Sequence, residues 1–223
     1  MHRTFSDDYI RALLSTAPAA PGSGQSRDAA TMLAVGQEQA APAPMPESPD
    51  GMSADSQKFF AAWKSWRGNQ ILPRRAQVQL TTIARLMPQL VVLEVRGPDR
   101  ATFRLAGDDI ERAFGARLTG RSFIRMAEAT HQARRGELLW RQVSQPCAVI
   151  MQQERVYRSG RRETVEIASA PILPDVDGAP VQVFAVVSRL SRLVTAPAGD
   201  VVVRNFGRNL RFLDIGAGIP ARD

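Results

Sequence analysis

The run from Thr102 to Phe123, TFRLAGDDIERAFGARLTGRSF, organises the reading of the whole chain. Its first residues alternate, with Phe103 and Leu105 on one face and Thr102, Arg104 and Ala106 on the other, as in a half-buried strand. Gly107 then breaks the strand. Asp108 or Asp109 can cap a short helix whose Ile110, Ala113 and Phe114 share a face, and Gly115 stands where a left-handed helix end is expected. Leu118, Thr119, Gly120 and Arg121 form a second turn. Gly107 and Gly120 are expected to occupy backbone positions that side chains resist.

Working outward, Leu90 to Val95 is a continuous apolar strand, and Gly97, Pro98 and Asp99 turn it into the strand at 101–106, which makes a hairpin. On the other side, Ile124 to Gln145 reads as helical, broken or bent near Gly136, with Leu138, Leu139 and Val143 facing inward and Pro146 ending it. Three strands follow at hairpin spacing, over 147–158, 162–173 and 180–190, with turns at Ser159–Gly160 and from Pro174 to Gly178. Upstream, Ser53 or Asp55 can cap a helix carrying Phe59, Phe60, Trp63 and Trp66. A second helix, marked by Leu80, Ile83, Leu86 and Met87, is expected to stop at Pro88.

The order of these parts resembles the PAS domain, in particular a bacterial subfamily. The motifs carrying the resemblance are Trp63 and Trp66, Leu72 to Arg74, Leu86 to Leu90, Phe103 to Ile110 and Phe114 to Phe123, and it spans roughly Ser53 to Val194. It implies an α+β fold: a five-stranded antiparallel sheet with helices on one face, N-terminal flanking helices and a disordered N-terminal extension. The expected organisation is an extension over 1–52, a PAS domain over 53–194 and a C-terminal tail over 195–223. The resemblance also implies a cavity lined by residues such as Phe103, Leu105, Ile110, Phe114, Phe123, Met126 and Leu139, filled either by these side chains alone or by an unidentified small ligand. The apolar stripe of Phe59, Phe60, Trp63 and Trp66 reads first as core; since flanking helices of this family often dimerise or cover the sheet, the same four residues are also candidate interface anchors. His131 stands where haem-binding members place an iron ligand, but its neighbours Gln132, Arg134 and Arg135 point to a polar surface.

Composition narrows the classes. Thr4 to Thr16 can form only a short helix, and Ala17 to Met52 is rich in Ala, Pro, Gly, Ser and Gln, too poor in core material to offset chain entropy. The net charge of +7 is uneven: residues 53–195 carry 22 Lys/Arg against 13 Asp/Glu, whereas residues 1–52 carry three against six. A basic domain surface admits nucleic acid as a partner, though a solvated basic face is the simpler reading. Cys147 is the only cysteine, so no internal disulfide can form, and no Cys/His cluster offers a metal site. No apolar run approaches the ~20 residues of a membrane span. A reducing, cytoplasmic home is expected.

The tail over 195–223 is expected to add an edge strand or to pack back on the domain. It contains two motif-like runs. Gly207 to Leu213, GRNLRFL, is similar to the signature of flavin-binding PAS domains, but Leu210 stands at the adduct-forming cysteine's position. Phe212 to Gly218, FLDIGAG, is similar to a methyltransferase glycine loop without room for the helix and strand such a loop serves. Asp108, Asp109 and Glu111 cluster at a helix start, which explains them as partners of the helix dipole rather than as acid/base catalysts. No catalytic residue, metal or named cofactor is predicted. The expected function is therefore a non-enzymatic sensory or regulatory module that touches a protein partner in a signalling pathway or a second copy of itself. The alternative is a nucleic-acid-binding regulator using its Arg-rich surface.

Overall fold

The computed structural model describes residues 51–190 and 197–221. The extension expected up to residue 52 falls outside them except for Gly51 and Met52, as does the helix expected from Thr4 to Thr16. Six strands, β1 (Leu90–Gly97), β2 (Arg100–Ala106), β3 (Cys147–Tyr157), β4 (Arg162–Ile172), β5 (Val181–Arg189) and β6 (Val202–Asp214), form one antiparallel sheet in the order β2-β1-β5-β4-β3-β6. The expected five strands occupy the first five places. The sixth comes from the C-terminal tail, which pairs along β3 from Cys147 opposite Asp214 to Tyr157 opposite Val202. Without it β3 would be an unpaired edge, and its backbone groups gain partners by this addition.

Among the described residues there are three α-helices: α1 (Ala54–Arg67), α2 (Asp108–Phe114) and α3 (Ala129–Ser144). The hydroxyl of Ser53 caps α1 by accepting from the Ser56 amide. At α2 the cap is Gly107 rather than either aspartate: Asp108 and Asp109 lie inside the first turn, where negative charge suits the helix dipole, and Asp109 pairs with Arg112 at 2.7 Å. Gly115 ends α2 in the left-handed conformation and Gly120 has a φ of 84°. Gly107 has an ordinary φ of −70°, and its need is space: a Cβ there would collide with the carbonyl oxygens of Met87 and Pro88.

Two expected helices differ. Residues 80–89 form a 3₁₀ segment interrupted at Ile83 (φ −119°, ψ 24°), and Pro88 lies inside it rather than ending it. No break falls at Gly136; α3 is continuous through it, and the break falls at 127–128, after a 3₁₀ turn over Ile124–Met126. Gly136 is there for packing, because a Cβ would collide with the Pro98 carbonyl oxygen in the β1–β2 turn.

The central strands are apolar on both faces. In β5, Val183, Ala185 and Val187 turn toward α2 and α3, while Phe184 meets the Trp66 ring of α1 edge-on at 6.4 Å. In β4, Ile167 and Ser169 share the first face, and Ala168, Ala170 and Ile172 share the second, all three fully buried. Helices therefore cover both faces: α1 lies on the side opposite to α2 and α3.

Replacing Gly107 with Ala is predicted to cost about 2 kcal/mol or more, since rigid backbone must move. Gly120→Ala, with open space around it, should cost only about 1 kcal/mol of backbone strain. Urea denaturation of both variants checks this; equal losses would contradict the distinction.

Candidate functional site

The four aromatic residues expected as interface anchors are buried by their own sheet, with Phe59 and Trp63 fully buried and Phe60 and Trp66 at 3% and 4% exposure. The indole nitrogen of Trp63 donates to the Pro171 carbonyl of β4 at 3.1 Å, and the Phe59 and Phe60 rings touch at 5.4 Å. Arg67, stacked over Trp63, donates to the Ile215 carbonyl at 2.6 Å and so ties the end of α1 to the chain just past β6. In the single chain all four aromatic side chains belong to the core. Phe60, about 100° round the helix from Phe59, is buried as well, and the 3₁₀ segment over 80–89 packs beside α1.

The opposite face of the sheet does not meet its helices flush. A cavity of about 480 Å³ lies between that face and the layer formed by α2, the Ile124–Met126 turn and α3. Phe103, Ile110, Phe114, Phe123, Met126 and Leu139 line it. Leu105 does not. A bulge at Arg104 puts Phe103 opposite Leu93, on the cavity face, but Leu105 opposite Val92, on the other face, so the alternation expected through this strand is broken. His131 lies at the cavity's rim, on the exposed start of α3.

Strands β3 and β6 build the remaining wall. Val149, Met151, Gln153 and Arg155 project from β3, faced by Phe212, Leu210, Gly207 and Asn205 of β6. The GRNLRFL run thus lies in an edge strand, and its Leu210 and Phe212 contribute apolar wall. Its Asn209 is in the left-handed conformation (φ 51°), where a second bulge places two β6 residues against Met151. The FLDIGAG run closes as a local turn, in which the Asp214 carboxylate accepts from the amides of Gly216 and Gly218.

Polarity is concentrated at one end. The Arg155 side chain is 6% exposed, lies over the Phe114 ring at 5.6 Å and donates to the Gln153 side-chain oxygen at 3.3 Å. Its carboxylate neighbour, Glu163, is 3.9 Å away and is shared with Arg161 at 3.7 Å and Arg189 at 2.6 Å, while Tyr157 donates its hydroxyl to the same group at 2.6 Å. Burial pulls the Arg155 guanidinium below its ordinary pKa, opposed by Tyr157 and Glu163; burial and the bond to Glu163 push the Tyr157 phenol up. Arg135 of α3 stacks over Phe123 at 4.9 Å, donates to the Phe123 carbonyl and reaches Asn205 of β6 at 3.4 Å, bridging the cavity's mouth. At the other end Gln142 and Ser169 bond to each other at 3.0 Å.

A sheet ordered β2-β1-β5-β4-β3, with a helical layer inserted between β2 and β3 and a cavity beneath that layer, agrees with the sequence comparison: the PAS domain family model matches residues 52–187. The chain belongs to the PAS family. No curated protein matches it. PAS domains are typically sensory modules, and the described residues hold no cluster of His, Cys, Asp and Glu able to bind a metal. Glu111, one of the three clustered acids, accepts from the Leu118 amide at 2.9 Å and so braces the turn after α2. Cys147 is fully buried, and burial with the nearby Asp214 pushes its thiol up to about 12, far from the range of a reactive thiolate. Among the described residues no helix is long and apolar enough to cross a membrane.

Sequence reasoning did not single out Gln153, Arg155 or Asn205 as cavity residues. A signal for the first two existed: on the face of β3 that starts with Val149 and Met151, Gln153 and Arg155 interrupt an apolar series at period two. Asn205 depended on a pairing some fifty residues distant in sequence.

Glu163→Gln is predicted to destabilise the domain by about 3 kcal/mol, because it leaves the buried Arg155 without its carboxylate. Arg162→Ala, which breaks only a surface pair with Glu154 at 71% exposure of the arginine, should cost under about 1 kcal/mol. Chemical denaturation of the two variants checks the contrast, and similar small losses would contradict it.

Proposed function

We propose that this PAS protein is a non-enzymatic regulatory module whose contacts with a protein partner are gated by a small molecule held in the cavity. The observation that carries the reading is the cavity itself. Its volume of about 480 Å³ falls in the range of small-molecule sites, roughly 300–1,000 Å³, and it combines an apolar wall with a few polar groups at one end. A core built only for stability would be filled at this position, since unfilled space forfeits packing energy.

A route from ligand to surface is available. Arg135 and Asn205 join α3 to β6 across the mouth, so a molecule entering there bears on both elements, and β6 is also an outer edge of the sheet. The proposed output is protein contact rather than nucleic-acid contact. Arg104, Arg112, Arg117, Arg141, Arg162 and Arg208 each lie within 4 Å of a carboxylate, which tempers the basic surface. A cytoplasmic location fits a buried, unpaired Cys147.

Native mass spectrometry tests the gating. The purified chain should carry an added mass that denaturation releases, and Leu210→Trp, which fills the cavity from β6, should lack it while melting within a few degrees of the parent. A bare chain mass, together with no shift in melting across a small-molecule panel, would overturn the ligand-gated reading.

A further inference from the structure

The cavity's two ends differ in chemistry, and the difference specifies a class of ligand. One end is a wall of Val149, Met151, Ile167, Leu139, Leu210 and Phe212, in which the polar pair Gln142 and Ser169 bond to each other. The other gathers Arg155, Gln153, Asn205 and Arg135, and its arrangement follows from strand register: Arg155 is opposite Asn205 and Gln153 is opposite Gly207, all four lining the cavity. Gly207 matters here because a side chain at that position would meet the tip of Met151.

The charge at this end is only partly neutralised from within. Glu163 serves three guanidiniums, and its shortest contact, 2.6 Å, goes to Arg189 rather than to Arg155 at 3.9 Å. Glu163 does not itself line the cavity; among the described residues Glu128 is the one acidic residue that does, and it is exposed, at the start of α3. A buried guanidinium on a cavity wall, with a distant and shared carboxylate, favours an anion with oxygen acceptors, because charge-assisted hydrogen bonds are strongest where water is excluded.

Resting on the reading of the cavity as a ligand site, we propose that it binds a single-chain amphipathic anion, a carboxylate or phosphate monoester, with its head at Arg155 and Arg135 and its apolar body along the β3–β6 wall. The volume suits one short chain and excludes a two-chain lipid. Asn205 and Gln153 supply the additional polar contacts for the head, and Arg135 closes the mouth behind it.

Isothermal titration of the full chain with octanoate, octyl phosphate, octanol and inorganic phosphate tests this. At least one of the two anionic amphiphiles should bind about tenfold or more tightly than octanol, and the better one identifies the head. Inorganic phosphate should bind at least tenfold more weakly than octyl phosphate, since it lacks the apolar body. Arg155→Gln should remove the preference over octanol while leaving octanol binding unchanged. Should that variant fail to fold, Leu210→Trp serves in its place, and it should abolish binding of both amphiphiles. Octanol binding as tightly as the anions would overturn the anionic head and leave the ligand site standing. Binding of inorganic phosphate as tightly as octyl phosphate would overturn the amphipathic class, as would undiminished octanoate binding to Leu210→Trp. No binding by any of the four would overturn this proposal and count against the ligand site as well.

Discussion

A sheet whose central strands are apolar on both faces must be covered twice, and the rest of this structure depends on that constraint. In β4 and β5, successive residues alternate between two buried environments, so neither face can be left to water. The first cover is α1, which carries four large aromatic residues over one short helix and locks onto the sheet through Trp63, Trp66 and Arg67. Burying aromatic surface of that size is the main stabilising gain available to an N-terminal flanking helix. A helix that supplies half of the core boundary is part of the domain, whatever else it touches.

The second cover is built from shorter pieces, and they do not close tightly. Helix α2 has seven residues, the turn at Ile124–Met126 is a single 3₁₀ turn, and α3 is held near β1 by the contact of Gly136 with Pro98. Strand β6 extends the sheet past the reach of α3, and the gap between them is spanned by the bond from Arg135 to Asn205. The cavity is the space this geometry leaves. Its polar end coincides with the Arg155–Glu163 cluster, where several cations share one buried carboxylate, an arrangement that is costly to bury.

Much of the fold was legible because local signals agreed with one another. The alternating strand before Gly107, the left-handed end at Gly115 and three strands separated by turn residues each have a local physical cause, and together they specify the PAS order. Six of the seven residues expected around a cavity surround one. Leu105 departs from that set because a bulge is a property of paired strands, and period-two reading of a single strand does not register it. The aromatic helix was legible as a helix and as core material, but the form of its neighbour was not, since the residues at 80–89 keep helical apolar spacing up to a proline and yet fold as a 3₁₀ segment. The role of Arg155 was hidden for a similar reason. An arginine in a basic chain reads as surface until the register of β3 against β4 and β6 places it inside.

The most direct measurement of the central claim, that a cavity lies between the sheet and the layer of α2 and α3, uses a neutral probe that needs no recognition chemistry. Xenon dissolved under pressure enters apolar cavities and shifts the methyl resonances of the residues around it. The account predicts shifts at Val149, Met151, Ile167, Val183 and Val187, and none at Ala148, Ile150, Ala168, Ile172 and Val186, their neighbours on the face toward α1. Shifts concentrated in the second set, or spread evenly over both, would contradict it.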